Sequence, residues 1–374
     1  MMKLIEKTPK EKLEGVGLLR LDFNSEDNWR MKAALPTLRY LSGPARVLVI
    51  LSHKGRPIGF SKNLSLKKVA ENLGKLLHRK ITFIPHFNFE LIKHEISRAA
   101  DGSIFMLENL RFIPGEETNS AELGKKLASL GDYYVNEAFA VSHRAHASVS
   151  AITRYLPSYA GLGMAREALV LCEVMNAPKK PLVVILGGGK AGDKLGVLKF
   201  LRNRADKFLL GGAPANTLSM LEGVKVGKSL VEGDKKRLKA LKAILAYRNL
   251  ILPIDFRRSG NSIFDIGPHT EEIFAGEIKK AKTLIWNGPV GYFEEAAFAK
   301  GSLAIARAVK KNNKLFSIVG GGETVAFLKK YKMTGAFSFI STGGGAMLDF
   351  LAGKKLPGIV ALEKNGKTNR TQKK

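Results

Sequence analysis

Short runs of aliphatic and β-branched residues alternate along the chain with stretches whose apolar positions recur at spacings of three and four. In the first half "GLLRLDF", "RVLVIL", "ITFIP", "SIFML" and "DYYVN" read as strands, with "SLKKVAENLGKLLH" and "SAELGKKLASLG" as amphipathic helices between them. The second half continues the scheme with the strands "LVVIL", "KFLL", "LILPI", "TLIW", "LFSIV" and "FSFIS". Strands that alternate with helices predict α/β architecture with parallel sheets, because a parallel pair needs a crossover of helical length. No repeat of fixed period is present. Between the halves, "YLPSYAGLGMAREALVLCEVMNAPKKP" reads as a helix bracketed by prolines. At 374 residues the chain is too long for one ordinary core. The expectation is two similar-sized domains, each an open, doubly wound parallel sheet flanked by helices. Their bounds are 1–157 and 177–352, joined across a cleft by a hinge helix at 158–176.

Composition narrows the setting. Cys172, the single cysteine, lies in the apolar stretch "EALVLCEVM" and reads as a packed free thiol. "MMKLIEKTPK" lacks the apolar core of a signal peptide, and no run approaches the length of a membrane span, so a cytoplasmic setting is expected. The formal charge of +28 suggests an anionic partner without naming it. From Lys364 to Lys374 five basic residues occur with no acid and no apolar residue, which predicts a basic disordered tail over 365–374.

In open α/β sheets ligands bind outside the carboxyl ends of the strands. In the first half those ends carry "DFN" followed by Arg30, then "SHKGR", "ENLR" and "NEAFAVSHRAH". Arg30, Arg56, Arg111 and Arg144, with His53 and His146, would converge on an anion bearing carboxylate or phosphate groups, which guanidinium grips in a two-pronged way. A surface ion pair explains any one arginine; four at strand ends do not fit that explanation. Asp22 and Asn24 are placed to orient hydroxyls or to cap the next helix. His143 and His146 lack the further ligands a zinc site needs.

The second half offers glycine-rich loops instead: "GGGKAGDK", "GGAPAN", "WNGPVG", "VGGGET" and "STGGGA". Glycine lets backbone N–H groups approach phosphate, and a following helix N-terminus adds partial positive charge. Gly187, Gly189 and Gly192 match the dinucleotide fingerprint, but the next strand runs into Gly211 and Gly212 rather than the acid that would hold a ribose. A P-loop fails as well, because Gly192 is followed by Asp193. What remains is a phosphate cradle with Lys190 and Lys194 four positions apart, able to share a face if the loop enters a helix at once. An arginine-lined anion site and a nucleotide-type loop set on separate domains point to transfer of a phosphoryl group.

The motifs "RLDFN", "LSHKGRP", "ENLRF", "YVNEAFAVSHRAHAS", "ILGGGKAGDKLG", "WNGPVGYFE", "IVGGGET" and "STGGGAMLDFLAGKKLPG" resemble the phosphoglycerate kinase family, in that family's order, over about residues 16 to 362. The resemblance implies reversible phosphoryl transfer between 1,3-bisphosphoglycerate and ADP, giving 3-phosphoglycerate and ATP, by a monomer with no membrane or specific nucleic-acid partner. It implies that Asp22, Asn24, Arg30, His53, Arg56, Arg111 and Arg144 hold the triose acid. Nucleotide with Mg2+ would be held by Lys190, Lys194, Gly211, Gly212, Asn287, Pro289, Glu294, Gly320, Gly321, Gly322, Glu323 and Thr324. Arg30, Lys190 and Lys194 would act on the moving phosphoryl group. Residues 353–364, with "LPGIVALE", would return to the first domain.

The chain departs from the family pattern in Glu323, where aspartate is usual. The extra methylene moves the carboxylate by about 1.5 Å, so any contact with Mg2+ is direct or through water. Only five residues separate Asn24 from Arg30, a shorter loop than the family carries, and Lys54 and His269 stand where leucine and lysine are common. A kinase relative with impaired turnover is the alternative within the fold. A basic nucleic-acid-binding protein is the alternative outside it, although the tail has no aromatic residue for base stacking.

Overall fold

The structure, a computed structural model, describes residues 2–24 and 28–371, and for 366–371 the backbone alone. The chain divides into two compact units, Met1–Leu169 with Lys355–Lys374, and Val170–Lys354. The first comprises β1 (Val16–Arg20), α1 (Trp29–Leu41), β2 (Val47–Leu51), α2 (Lys67–Leu77), β3 (Thr82–Ile84), α3 (Phe89–Ser97), β4 (Ser103–Leu107), α4 (Ala121–Ala128), β5 (Tyr133–Asn136) and β6 (Ser158–Ala160). Helix α5 (Leu162–Asn176) runs through the division. The second comprises β7 (Leu182–Leu186), α6 (Leu195–Leu201), β8 (Lys207–Leu210), α7 (Gly212–Leu221), α8 (Lys235–Lys242), β9 (Leu250–Ile251), β10 (Phe256–Ser259), β11 (Ser262–Ile266), α9 (Pro268–Lys280), β12 (Thr283–Asn287), α10 (Lys300–Lys311), β13 (Phe316–Gly320), α11 (Gly322–Lys330), β14 (Phe339–Ile340) and α12 (Gly344–Leu351). Helix α13 (Pro357–Thr371) belongs to the first unit.

Each unit holds a parallel sheet of six strands, ordered β3-β4-β2-β1-β5-β6 in the first and β14-β13-β12-β7-β8-β9 in the second. The central strands "VLVIL" and "LVVIL" are buried at every position, as parallel strands covered by helices on both faces must be. The helices present matching apolar stripes: α2 buries Val69, Ala70, Leu73 and Leu77, then ends with His78 in the left-handed conformation at φ 54°. The chain order reverses between β1 and β5 in the first sheet and between β7 and β12 in the second. A crevice for ligands opens at such a point, outside the carboxyl ends of the strands.

All of the strands expected from the hydrophobic pattern form. Four features differ from expectation. The segment bracketed by prolines contributes β6 before it becomes helix, so the first sheet gains an edge strand. An antiparallel hairpin, β10 and β11, stands apart from the second sheet. Cys172 is exposed rather than packed, because it falls on the outer face of α5. Where composition predicted a disordered tail from 365, the backbone is helical through Thr371; residues 372–374 lie outside the described residues. Among the described residues no helix is long and apolar enough to cross a membrane.

The start of α13 is anchored in the first unit. Gly358 N donates to Ser142 O at 2.9 Å, and Leu362 is fully buried. Asn365 accepts from Ser158 N at 3.0 Å and donates to the carbonyls of Thr153 and Leu156 at 2.7 and 2.8 Å. Asn365→Ala leaves three backbone groups without this partner and should lower the stability of the first unit by about 2 kcal/mol in urea unfolding. An unchanged unfolding midpoint would show that these bonds do not anchor the helix.

Candidate functional site

In the first unit the loops after β1, β2 and β4 are tied into one ring. Asp22, just past β1, accepts Asn24 N at 2.8 Å and Arg30 Nη1 at 2.8 Å, and Arg30 also donates to Asn24 O at 3.1 Å. Asn24 Oδ1 accepts Gly55 N at 2.9 Å, and Arg111 Nη1 donates to Gly55 O. The loop before Arg30 falls partly on residues 25–27, outside the described residues. Arg30 nonetheless reaches back from the first turn of α1 to the end of β1. Arg144 donates to His143 Nε2 at 3.2 Å, and Arg56 is exposed beside Gly55.

Arg20, which the sequence reading passed over, organises this cluster. A charged residue inside the run "GLLRLDF" was the available signal, and Arg20 is fully buried. Its Nε donates to Ser148 Oγ at 2.8 Å; Ser148 in turn donates to Glu116 Oε1 at 2.6 Å. Its Nη1 donates to Leu21 O, and its Nη2 to His53 Nδ1 at 3.0 Å. Because guanidinium can only donate, His53 accepts on Nδ1 and its neutral ring carries the proton on Nε2. Burial holds the His53 pKa well below its usual value, with Arg20, Arg111, His146 and Arg144 adding to the effect. Burial, then the charges of Arg20, Arg111, Arg144 and His143, push His146 down to about 3. Burial also lowers Arg111, which Glu117 opposes from 3.2 Å. Arg30 Nε, Arg111 Nη2 and His146 Nδ1 are buried without a hydrogen-bond partner among the described residues. Positive charge and orphaned donors in one pocket are the complement of a multiply charged anion.

In the second unit the two strands at the reversal point are laced together beyond their ends. Gly187 N donates to Asn287 O at 3.0 Å and Gly188 N to Pro289 O at 2.7 Å. A Cβ on Gly187 would run into the Pro289 carbonyl, and Gly188 sits at φ 83°, so both positions require glycine. The loop enters helix only at Gly192, through a single tight turn into α6. Lys190 therefore stands exposed before the helix, whereas Lys194 is buried, with 7% of its surface accessible. Lys194 Nζ donates to Asn287 Oδ1 at 2.8 Å, tying the turn that follows the glycine loop to the end of β12. Burial lowers the Lys194 pKa, opposed by Asp193 and Glu323 and assisted by Lys190.

Beside this lysine a cavity of about 430 Å3 is lined by Gly188, Gly212, Asn216, Pro289, Glu294 and Glu323, with Phe256, Ile263 and Phe264 of the hairpin forming an apolar wall. That volume and mixed lining suit a nucleoside. Other expected residues serve the frame. Gly211 precedes α7 and packs on Val290; Gly320 ends β13 against Met347; and the Thr324 hydroxyl accepts Gly288 N at 2.8 Å. Gly321 adopts φ 99° ahead of α11, Gly322 is open, and Glu323 is exposed in the first turn of that helix. The hairpin residues and Asn216 were not anticipated; the turn "GN" between "FRRS" and "SIFDI" was the signal for the hairpin.

The fold and these two constellations define a class: a two-unit α/β protein with a cluster of buried cations at one sheet and a glycine-lined cavity of nucleoside size at the other. The family model for phosphoglycerate kinase matches residues 16–354. Phosphoglycerate kinase of Dictyoglomus turgidum is 41% identical over 376 residues, covering 92% of this chain and 95% of the relative. That of Pseudothermotoga lettingae is also 41% identical, over 91% and 94%. Among solved structures, phosphoglycerate kinase from Coxiella burnetii superposes with a TM-score of 0.84 at 35% identity, covering 98% of this chain and 100% of the other. The enzyme from Pyrococcus horikoshii gives 0.87 at 30% identity, with the same coverage. The chain belongs to the phosphoglycerate kinase family.

The histidines give a test of the cation cluster. The unfolded chain takes up a proton on His146 near pH 6.5, the folded chain only near 3. This residue therefore contributes full stability above 6.5, and the contribution is lost as pH falls from 6.5 towards 3. NMR of 15N-labelled imidazole should find His146 neutral at about pH 5. Added sulfate should raise its titration midpoint by supplying compensating charge. A midpoint near the ordinary histidine value without anion would contradict the desolvated, cation-crowded pocket.

Proposed function

We propose that the chain is an active phosphoglycerate kinase that moves a phosphoryl group reversibly between 1,3-bisphosphoglycerate and ADP. The observation that carries this reading is the buried Lys194, held on Asn287 at the reversal point of the second sheet beside the glycine-lined cavity. A desolvated ammonium interacts strongly with charge that develops near it. The acceptor in the ATP-consuming direction is a carboxylate, ionised at neutral pH, so no general base is needed. Catalysis then rests on in-line positioning and on neutralising the moving phosphoryl group.

Asp22, Asn24, Arg30, His53, Arg56, Arg111 and Arg144 hold the triose acid, with Arg20 positioning His53. Lys194 and Arg30 carry the transition-state charge, and Lys190, from its exposed loop, reaches phosphate oxygens. Gly212, Pro289 and Glu294 line the nucleoside cavity, while Gly211, Asn287, Gly320, Gly321, Gly322 and Thr324 set the backbone around it. Among the described residues no cluster of three or more metal-ligating side chains occurs. That fits Mg2+ carried mainly on nucleotide phosphates, with Glu323 as its carboxylate ligand, directly or through water. When bound there, the ion neutralises phosphate charge. Transfer demands that both substrates meet away from water. We assign the hinge to α5 and to the glycines Gly343 to Gly345, and a cytoplasmic monomer to the working form.

The test is ATP-dependent turnover of 3-phosphoglycerate across a magnesium titration. Lys194→Ala should lower kcat by about a thousandfold while ATP still binds. Glu323→Asp should reach half-maximal rate at lower magnesium. No turnover by the natural chain or by Glu323→Asp, both folded, would overturn the reading.

A further inference from the structure

The second sheet ends, at its amino edge, in a comb of lysines. β7, β12 and β13 start in register, with Thr283 paired to both Leu182 and Phe316. The residues just before them are stitched together: Lys282 N donates to Pro181 O at 3.0 Å, Phe316 N to Lys282 O at 2.9 Å, and Thr283 Oγ1 to Lys179 O at 2.8 Å. Helices α9 and α10 finish at the same edge, where Asn312 Nδ2 donates to the carbonyls of Ile278 and Ala281 at 2.9 and 3.1 Å. Lys179, Lys279, Lys282, Lys310, Lys311 and Lys314 are thereby gathered, all exposed. No ion pair engages any of the six among the described residues. The acids placed with them are already occupied, Asp206 by Lys180 and Glu277 by Lys280, each at 3.0 Å.

Basic residues in the last turn of a helix complement its dipole, and that explains Lys279, Lys280, Lys310 and Lys311 one helix at a time. It does not explain Lys179, Lys282 and Lys314, which lie outside helices and precede three neighbouring strands. Strand spacing of about 4.8 Å sets these side chains at intervals comparable to the phosphates of an extended nucleic-acid strand. Phe316, the first residue of β13, is 37% exposed among them and offers a ring on which a base can stack. A membrane surface fits less well, because this edge presents no amphipathic helix with an apolar face to insert.

We infer that the amino edge of the second sheet binds the phosphate backbone of single-stranded nucleic acid, without sequence preference. The edge lies a strand length, about 17 Å, from the glycine loops, so this inference is independent of the phosphoryl-transfer reading.

The experiment is fluorescence anisotropy with labelled oligouridylate of about 20 nucleotides over a salt series. In the edge variant Lys279, Lys282, Lys310 and Lys314 are replaced by glutamine. The control variant carries glutamine at Lys235, Lys236, Lys239 and Lys242 of α8. The edge variant should lose more than about tenfold in affinity near physiological salt, and its log–log salt slope should fall by about 3. The control should keep most of both, Phe316→Ala should weaken binding by about fivefold or more, and arginine at the four edge positions should restore it. Melting temperatures close to that of the natural chain establish that each variant is folded. Equal losses in edge and control variants would overturn the inference in favour of diffuse charge. Binding to anionic phospholipid vesicles but not to the oligonucleotide would overturn it in favour of a lipid surface.

Discussion

A buried ammonium is the constraint on which the second unit is arranged. Lys194 can stay out of water because its Nζ donates to Asn287 Oδ1 at 2.8 Å, and that bond ties the turn reached by the loop after β7 to the end of β12, the two strands between which the chain order reverses. An ammonium carries three donors, so a single side-chain acceptor leaves the site electrostatically unfinished and receptive to anionic oxygen. Keeping Asn287 in place requires Gly187 and Gly188 to press against the 287–289 backbone, which no larger residue permits. The glycines that resemble a phosphate signature in the sequence therefore have two tasks: some open the cavity, and others let β7 and β12 close ranks around the lysine.

The first unit solves the same problem with a different inventory. Its cations are guanidinium groups at strand ends and the segments that follow them, Arg20 closing β1 and Arg30 opening α1, and their positions are set by short polar links through Asp22, Asn24 and Gly55 on one side and through Ser148 and Glu116 on the other. Glu116 is fully buried and accepts both the Ser148 hydroxyl and its backbone N–H, at 2.6 and 3.0 Å. It thus holds Arg20 without pairing it directly. Burial first, and then the neighbouring charges of Arg20, Arg111 and Arg144, keep both histidines uncharged, so the net charge of the cluster is carried by groups that do not titrate near neutrality.

Much of this was legible because parallel strands buried on both faces leave unmistakable aliphatic runs, and because loops after such strands are where ligand chemistry collects. Ordered motifs located Lys190, Lys194 and the arginines. What escaped was set by tertiary context. β6 is three residues long and is followed by a glycine, too short to show alternation. The hairpin carries charged residues, Arg257 and Arg258, on a strand only half covered, so it lacks a hydrophobic run. Arg20 occupies an interior strand position that pattern alone assigns to an aliphatic residue. Cys172 sits among apolar neighbours in sequence yet faces outward, because a helix shows only part of its surface to the core. Roles at the glycine loops were hardest to separate, since cradle and frame use the same residue.

We propose that Lys194 is held, desolvated, for the phosphoryl group in transfer. That role is tested most directly by a crystal structure of the chain with Mg-ADP, 3-phosphoglycerate and a trigonal metal-fluoride mimic of that group. Lys194 Nζ should then lie within hydrogen-bond distance, about 3 Å, of a fluoride ligand. A mimic bound in line between the two substrates with Lys194 still directed only at Asn287 would contradict it.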